Sequence, residues 1–374
     1  MKYFLFTLLV LFLPYFYFAE FIVPQNNTPM MAVTNSENYA YRYIVELYNV
    51  GDSLNLNREI TNFKALYPES VYLPYIKFIE GNLAMEANAY SQAIDIYKAL
   101  LEINLSQNVR SEIILNYAYC LTQLQQYDSA LQLLQRLETE TGNPVYLEQA
   151  NSLRGDIYFQ LGQYYSAEKA YQRAVKAFPD NETLRFSLFS TYLALEKENQ
   201  ALELLKTQSP KDTYFLNYIQ LWLEYLLENE RYDDFDSFVS SYKLEEIAFV
   251  PEIVDIRIRR SLRTADFDQI SQLLQGLNID SPQFNYYRAL VLIREGKEQQ
   301  ADSLLAVLVN SVQPEIAIPA YLERVKLLFK RNQQSAMEQL QTYLKQTPNE
   351  LMKAELYYTL GYFYFQQKNY TEAI

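Results

Sequence analysis

Residues 151–181, NSLRGDIYFQLGQYYSAEKAYQRAVKAFPDN, hold two amphipathic runs joined by a short polar turn at 161–163. Gly155 falls where two helices must cross closely, because a side chain there wedges them apart, and Ala167 has the same role on the second run. Tyr158, Tyr171 and Ala174 fill the space between the runs. Pro179 stops the second helix, since proline has no N–H for the hydrogen-bond ladder. The segment therefore reads as a helical hairpin whose apolar side is completed only by another hairpin.

Outward from this stretch the chain echoes itself. NAYSQAIDIYKALL (88–101), QQYDSALQLLQRLE (125–138), GQYYSAEKAYQRAV (162–175) and QKNYTEAI (367–374) each place a turn, then a Tyr, then an Ala three residues later. The marker recurs at Ala93, Ala130, Ala167, Ala201, Phe235, Ile270, Ala301, Ala336 and Ala373, at intervals of 31 to 37 residues. That period is too long for a heptad and fits one stacked supersecondary unit.

With a small residue at Gly155, then Tyr158, Ala167, Tyr171, Ala174 and Pro179, the segment resembles the tetratricopeptide repeat. Leu360, Gly361, Tyr364, Tyr370 and Ala373 repeat the match at the far end. The resemblance covers residues 37–374 and implies an all-α fold, an α-solenoid of stacked antiparallel helical hairpins in a right-handed superhelix. Its units are expected at 37–73 (degenerate), 74–110, 111–147, 148–181, 182–215, 216–250, 251–281, 282–316, 317–353 and 354–374 (incomplete). Phe235 and Ile270 replace the small residue in 216–250 and 251–281, so distorted helix packing is expected there. FKALYPES (63–70) is similar to segments of bacterial envelope repeat proteins.

Composition narrows the function. Of 374 residues, 49% are hydrophobic and 21% charged, enough for a sizeable core, and only 8 are glycine. The net charge is −13, which repels a phosphate backbone, so nucleic acid is not an expected partner. Histidine is absent, which removes imidazole acid–base chemistry and imidazole metal sites. The single cysteine, Cys120, excludes a disulfide within the chain and reads as a small apolar filler. No segment spaces glycines as a phosphate loop requires. The expectation is a chain without catalytic residues, metal or cofactor.

The N-terminus, MKYFLFTLLVLFLPYFYFAEF, has one positive charge at Lys2 and an apolar run to Ala19. It reads as a secretory signal peptide over 1–19, or as an uncleaved membrane anchor, followed by a linker over 20–36. Either way the remainder is expected outside the cytoplasm, periplasmic or tethered facing the exterior. At the other end, QKNYTEAI barely opens a second helix, and four residues do not hold a helix alone. The chain is expected to continue past Ile374.

Two charged clusters read as structural. Asp233, Asp234 and Asp236 lie where Asp starts helices and lack the glycine and distal Glu of a calcium loop. Arg257, Arg259, Arg260 and Arg263 do not share one helical face, and acids lie nearby.

In the family's register the concave face of the first helices presents Tyr75, Phe78, Asn82, Tyr119, Asp156, Phe159, Glu224, Tyr358 and Tyr362. The resemblance implies a protein or peptide partner docked along this tyrosine-rich groove; the alternative for several of these residues is burial between hairpins. The groove lacks the Lys, Arg and Asn cluster that binds terminal carboxylates in one subclass. The function expected is a non-catalytic interaction scaffold. The rival is an extracytoplasmic sensory arm ahead of a kinase or transcription-factor output.

Overall fold

The structure, a computed structural model, describes residues 35–244, 250–277, 279–346 and 350–373. The candidate leader 1–19, the linker as far as residue 34, and Ile374 lie outside the described residues. Among the described residues every regular element is an α-helix.

The chain forms two compact units, one ending at Ile219 and the other beginning at Gln220. The first holds the hairpins α1 (Asn35–Asn49) with α2 (Ser53–Leu66), α3 (Leu73–Glu86) with α4 (Tyr90–Leu101), and α5 (Gln107–Gln123) with α6 (Tyr127–Glu140). It continues with α7 (Pro144–Gln160) and α8 (Tyr164–Ala177), then α9 (Glu182–Ala194) and α10 (Glu198–Lys206). The unit boundary falls inside α11 (Phe215–Glu228), which precedes α12 (Tyr232–Ser241). The second unit goes on with α13 (Pro251–Arg263) and α14 (Phe267–Gln275), then α15 (Pro282–Arg294) and α16 (Glu298–Leu308). It closes with α17 (Pro314–Arg331) and α18 (Gln333–Gln346), then α19 (Glu350–Gln366) and α20 (Tyr370–Ala373).

Local chemistry sets these boundaries. Several first helices open on proline at N1 or N2, at Pro74, Pro144, Pro251, Pro282 and Pro314, where the missing N–H is not needed. Asn143, Asn181, Asp266 and Ser281 accept from backbone N–H groups of the following turn as N-caps.

The turn inside each hairpin is nearly uniform. Nine of the ten carry a residue in the left-handed region two positions before the second helix: Gly51, Asn88, Gln125, Gly162, Glu196, Glu230, Ala265, Gly296 and Lys368. The next residue's N–H reaches back five positions, as Gln126 does to Leu121 (2.8 Å) and Gln163 to Tyr158 (2.8 Å). This closes the first helix with its last carbonyls satisfied. The exception joins α17 to α18, where Asn332 is extended and its side chain caps Ser335.

Every marker residue occupies the fourth position of its hairpin's second helix, and the eight from Ala93 to Ala336 are at most 1% exposed. Twelve residues before a marker, on the first helix of the same hairpin, stand Gly81, Ala118, Gly155, Leu223 and Ile258, matching Ala93, Ala130, Ala167, Phe235 and Ile270. Phe235 and Ile270, where distorted packing is expected, are buried like the small residues they replace.

Candidate functional site

The first helix of each hairpin presents a face that the second helix does not cover. In the first unit much of that face is occupied by the fold's own side chains. An added Cβ at Gly155 would stand 2.6 Å from Tyr171 Cε1, and one at Gly81 would stand 2.8 Å from Tyr97 Cε1. Each glycine thus seats the ring of a tyrosine from the paired helix. The hydroxyls then reach the residue after the glycine: Tyr97 donates to Asn82 Oδ1 at 2.8 Å, and Tyr171 donates to Asp156 Oδ1. Asn116 Nδ2 also donates to Asn82 Oδ1, at 3.0 Å, linking α5 to α3.

These contacts correct part of the expected groove. Phe78 is 0% exposed, and Tyr75, Asn82 and Asp156 are buried, so none of the four is presented to a partner. Tyr75 stands edge-on to Tyr41 at 6.4 Å, and the polar pair Asn82 and Asp156 is consumed by tyrosine hydroxyls. Tyr119 and Phe159 are half-buried, edge-on to Tyr90 and Tyr164 respectively. Glycine followed by Asn or Asp with a tyrosine fifteen residues on was the available signal for these locks.

Burial also sets the electrostatics of this unit. It pushes the carboxyls of Glu112, Glu148 and Asp156 up to about 7, with the Tyr171 hydrogen bond opposing the shift at Asp156. The Cys120 thiol, fully buried, is pushed up to about 12. It is the inert filler that its helical setting suggests.

The second unit differs. Glu224, Tyr358 and Tyr362, the remaining expected residues, all line open grooves. One groove of about 230 Å³ is lined by Gln220, Glu224, Pro251, Glu252, Asp255, Ile256, Gln283 and Phe284 from α11, α13 and α15. The other, of about 420 Å³, is lined by Leu322, Lys326, Ala354, Glu355, Tyr358, Thr359 and Tyr362 from α17 and α19. Tyr358 is 80% exposed and Tyr362 48%. Glu252, Asp255, Leu322 and Glu355 were missed by sequence reasoning. The spacing of 252 and 255, and of 355, 358 and 362, puts each set on one helix face and could have found them.

Beside the first of these grooves Arg259 bridges Glu224 and Asp255, with Nε donating to Asp255 Oδ2 at 2.9 Å. Burial opposes the charge on Arg259, but the two carboxylates outweigh it and raise the guanidinium pKa. Tyr287 donates to Asp255 Oδ1 at 2.7 Å, and Glu224 Oε2 is buried without a donor. The arginine and aspartate clusters meet at one ion pair. Arg260 pairs with Asp236 at 2.6 Å and stacks on Tyr232, and Arg231 pairs with Asp234 at 2.7 Å.

Residues 31–191 match the family model of the tetratricopeptide repeat-like domain, and residues 354–374 match that of the tetratricopeptide repeat. Over these stretches the chain carries tetratricopeptide repeats. It is similar to small glutamine-rich tetratricopeptide repeat-containing protein 2 of Mycosarcoma maydis, 33% identical over 112 residues. That match spans 29% of this chain and 29% of the relative's length. Among solved structures, it is similar to the apo form of the quorum sensor NprR from B. thuringiensis, with 12% identity and a TM-score of 0.45, covering 90% of this chain and 96% of that one. A tetratricopeptide repeat protein from Parabacteroides merdae aligns with 13% identity and a TM-score of 0.39, covering 73% of this chain and 92% of that one.

Proposed function

We propose that this tetratricopeptide repeat protein is a non-catalytic scaffold that docks a peptide or protein segment along the inner face of its first helices. The observation carrying this reading is the pair of open grooves in the second unit, with Tyr358 and Tyr362 projecting beside one of them. An exposed tyrosine supplies rigid contact area and a hydroxyl at little entropic cost, the chemistry of partner recognition. In the first unit the corresponding polar groups are already satisfied within the fold, so that face offers less to a partner. The reading also places the repeats outside the cytoplasm, on the strength of Lys2 and the apolar run that follows it.

Copurification from envelope fractions with the full chain tests the scaffold. Replacing Tyr358 and Tyr362 together by Ala is expected to abolish recovery of bound protein at unchanged helicity, whereas Tyr119→Ala and Phe159→Ala reduce it less. Unchanged recovery with the double variant would remove the groove from the function. The mass of the mature N-terminus decides between a cleaved leader and a retained anchor.

A further inference from the structure

The two grooves of the second unit have opposite chemistry. The one on α11, α13 and α15 is lined by three carboxylates, Glu224, Glu252 and Asp255, and by no cation; Arg259 beside it is already shared by Glu224 and Asp255. Glu252 is exposed and has no ion pair among the described residues. Glu224 keeps one oxygen without a donor. The field of this groove is therefore negative, and a positive side chain entering it meets Glu252 first. The groove on α17 and α19 is larger and mainly apolar, walled by Leu322, Tyr358 and Tyr362. Its one lysine, Lys326, is held by Glu323 at 2.7 Å.

Both grooves lie on first helices of the same unit, one centred on α13 and the other between α17 and α19. Packed helices stand roughly 8–10 Å apart, so the centres are separated by roughly 20–25 Å. An extended chain at roughly 3.3 Å per residue covers that in about six to eight residues.

Resting on the scaffold reading above, we infer that the partner is a linear segment with two anchors: a lysine or arginine seated at Glu252, and an aromatic or aliphatic side chain seated between Tyr358 and Tyr362, about six to eight residues apart. Charge complementarity selects the first anchor and apolar burial the second. An acidic segment is rejected by the same carboxylates, so the pair of anchors carries specificity as well as affinity.

Selection of displayed random 16-residue peptides on the immobilised full chain tests this. The enriched sequences are expected to share a Lys or Arg and a Phe, Tyr or Leu at that separation. A synthetic peptide of the enriched sequence, followed by fluorescence anisotropy, should bind at least about tenfold more weakly to Glu252→Lys and to Tyr362→Ser. Glu252→Gln should fall between, because it removes the charge without reversing it. Raising salt from about 50 to about 300 mM should weaken wild-type binding several-fold and Glu252→Lys binding less. Both positions are exposed, and helicity by circular dichroism confirms that the variants fold. Enriched peptides that are acidic, that show no fixed separation, or that ignore Glu252→Lys would overturn the two-anchor partner while leaving a peptide-binding scaffold in place. Failure to enrich any peptide would count against both.

Discussion

Hairpin α7/α8 in the first unit and hairpin α13/α14 in the second solve one packing problem in opposite ways. In the first, Gly155 and Ala167 let the helices close, and Tyr171 crosses into the space that the missing side chain leaves. In the second, Ile258 and Ile270 occupy the same positions, both fully buried in one cluster. The space is filled in both, by a ring from the paired helix in one and by branched side chains at the positions themselves in the other. The position in the repeat is therefore fixed while the residue there is not. A search for small residues alone reads the second hairpin as a lapse when it is an alternative.

The sharpest way to break the comparison is to exchange its terms. Gly155→Ala places a Cβ against a buried ring whose hydroxyl is already committed to Asp156, and is expected to destabilise by about 2–4 kcal/mol in chemical denaturation. Hairpin α5/α6 already combines Ala118 with Leu134 at the equivalent positions. Adding Tyr171→Leu to Gly155→Ala should therefore recover part of the loss, with a coupling of about 1 kcal/mol or more in a double-mutant cycle. At the matching position in the second unit the sign of the size change reverses: Ile258→Ala leaves a void and costs about 2–4 kcal/mol.

A smaller effect separates the two tyrosine locks. Asn82 and Asp156 accept the same hydroxyl, but only the second can ionise. Burial raises the Asp156 carboxyl from 3.8 to about 7, so between those values the folded state holds a proton that the unfolded state has released. Its contribution to stability thus falls as pH rises through that window and is level above it. Asp156→Asn, copying the lock at Asn82, should stabilise the protein by about 2 kcal/mol at pH 8, a gain shrinking toward pH 4. Thermal melts across that range check it.

The smallest effect concerns the shared turn. Ala265 adopts a left-handed conformation that Gly162 and Gly296 adopt without strain. Ala265→Gly should stabilise by about 1 kcal/mol, and Gly162→Ala should cost a similar amount, both read as shifts in denaturation midpoint.

Much of this fold was legible because stacking imposes a period, and Ala93, Ala130 and Ala167 report that period through the need for a small buried side chain. The locks were less legible, since Tyr97 and Tyr171 meet Asn82 and Asp156 only after the hairpin closes. A helical register tells which way Asn82 points but not that a hydroxyl from the next helix waits there. Glu252 was missed for a different reason: residues 251–281 depart from the repeat pattern at Ile270, which left α13 without a register, while Glu355 lies one turn before Tyr358, the first position chosen on α19.

Cys120 provides the molecule with a clock. It is the sole thiol in the sequence and lies wholly inside α5, with no exposed sulfur for a reagent to reach. Modification by a maleimide must wait until α5 opens, so its rate counts openings of that helix one molecule at a time. The rest of the chain, having no competing thiol, stays silent in that measurement.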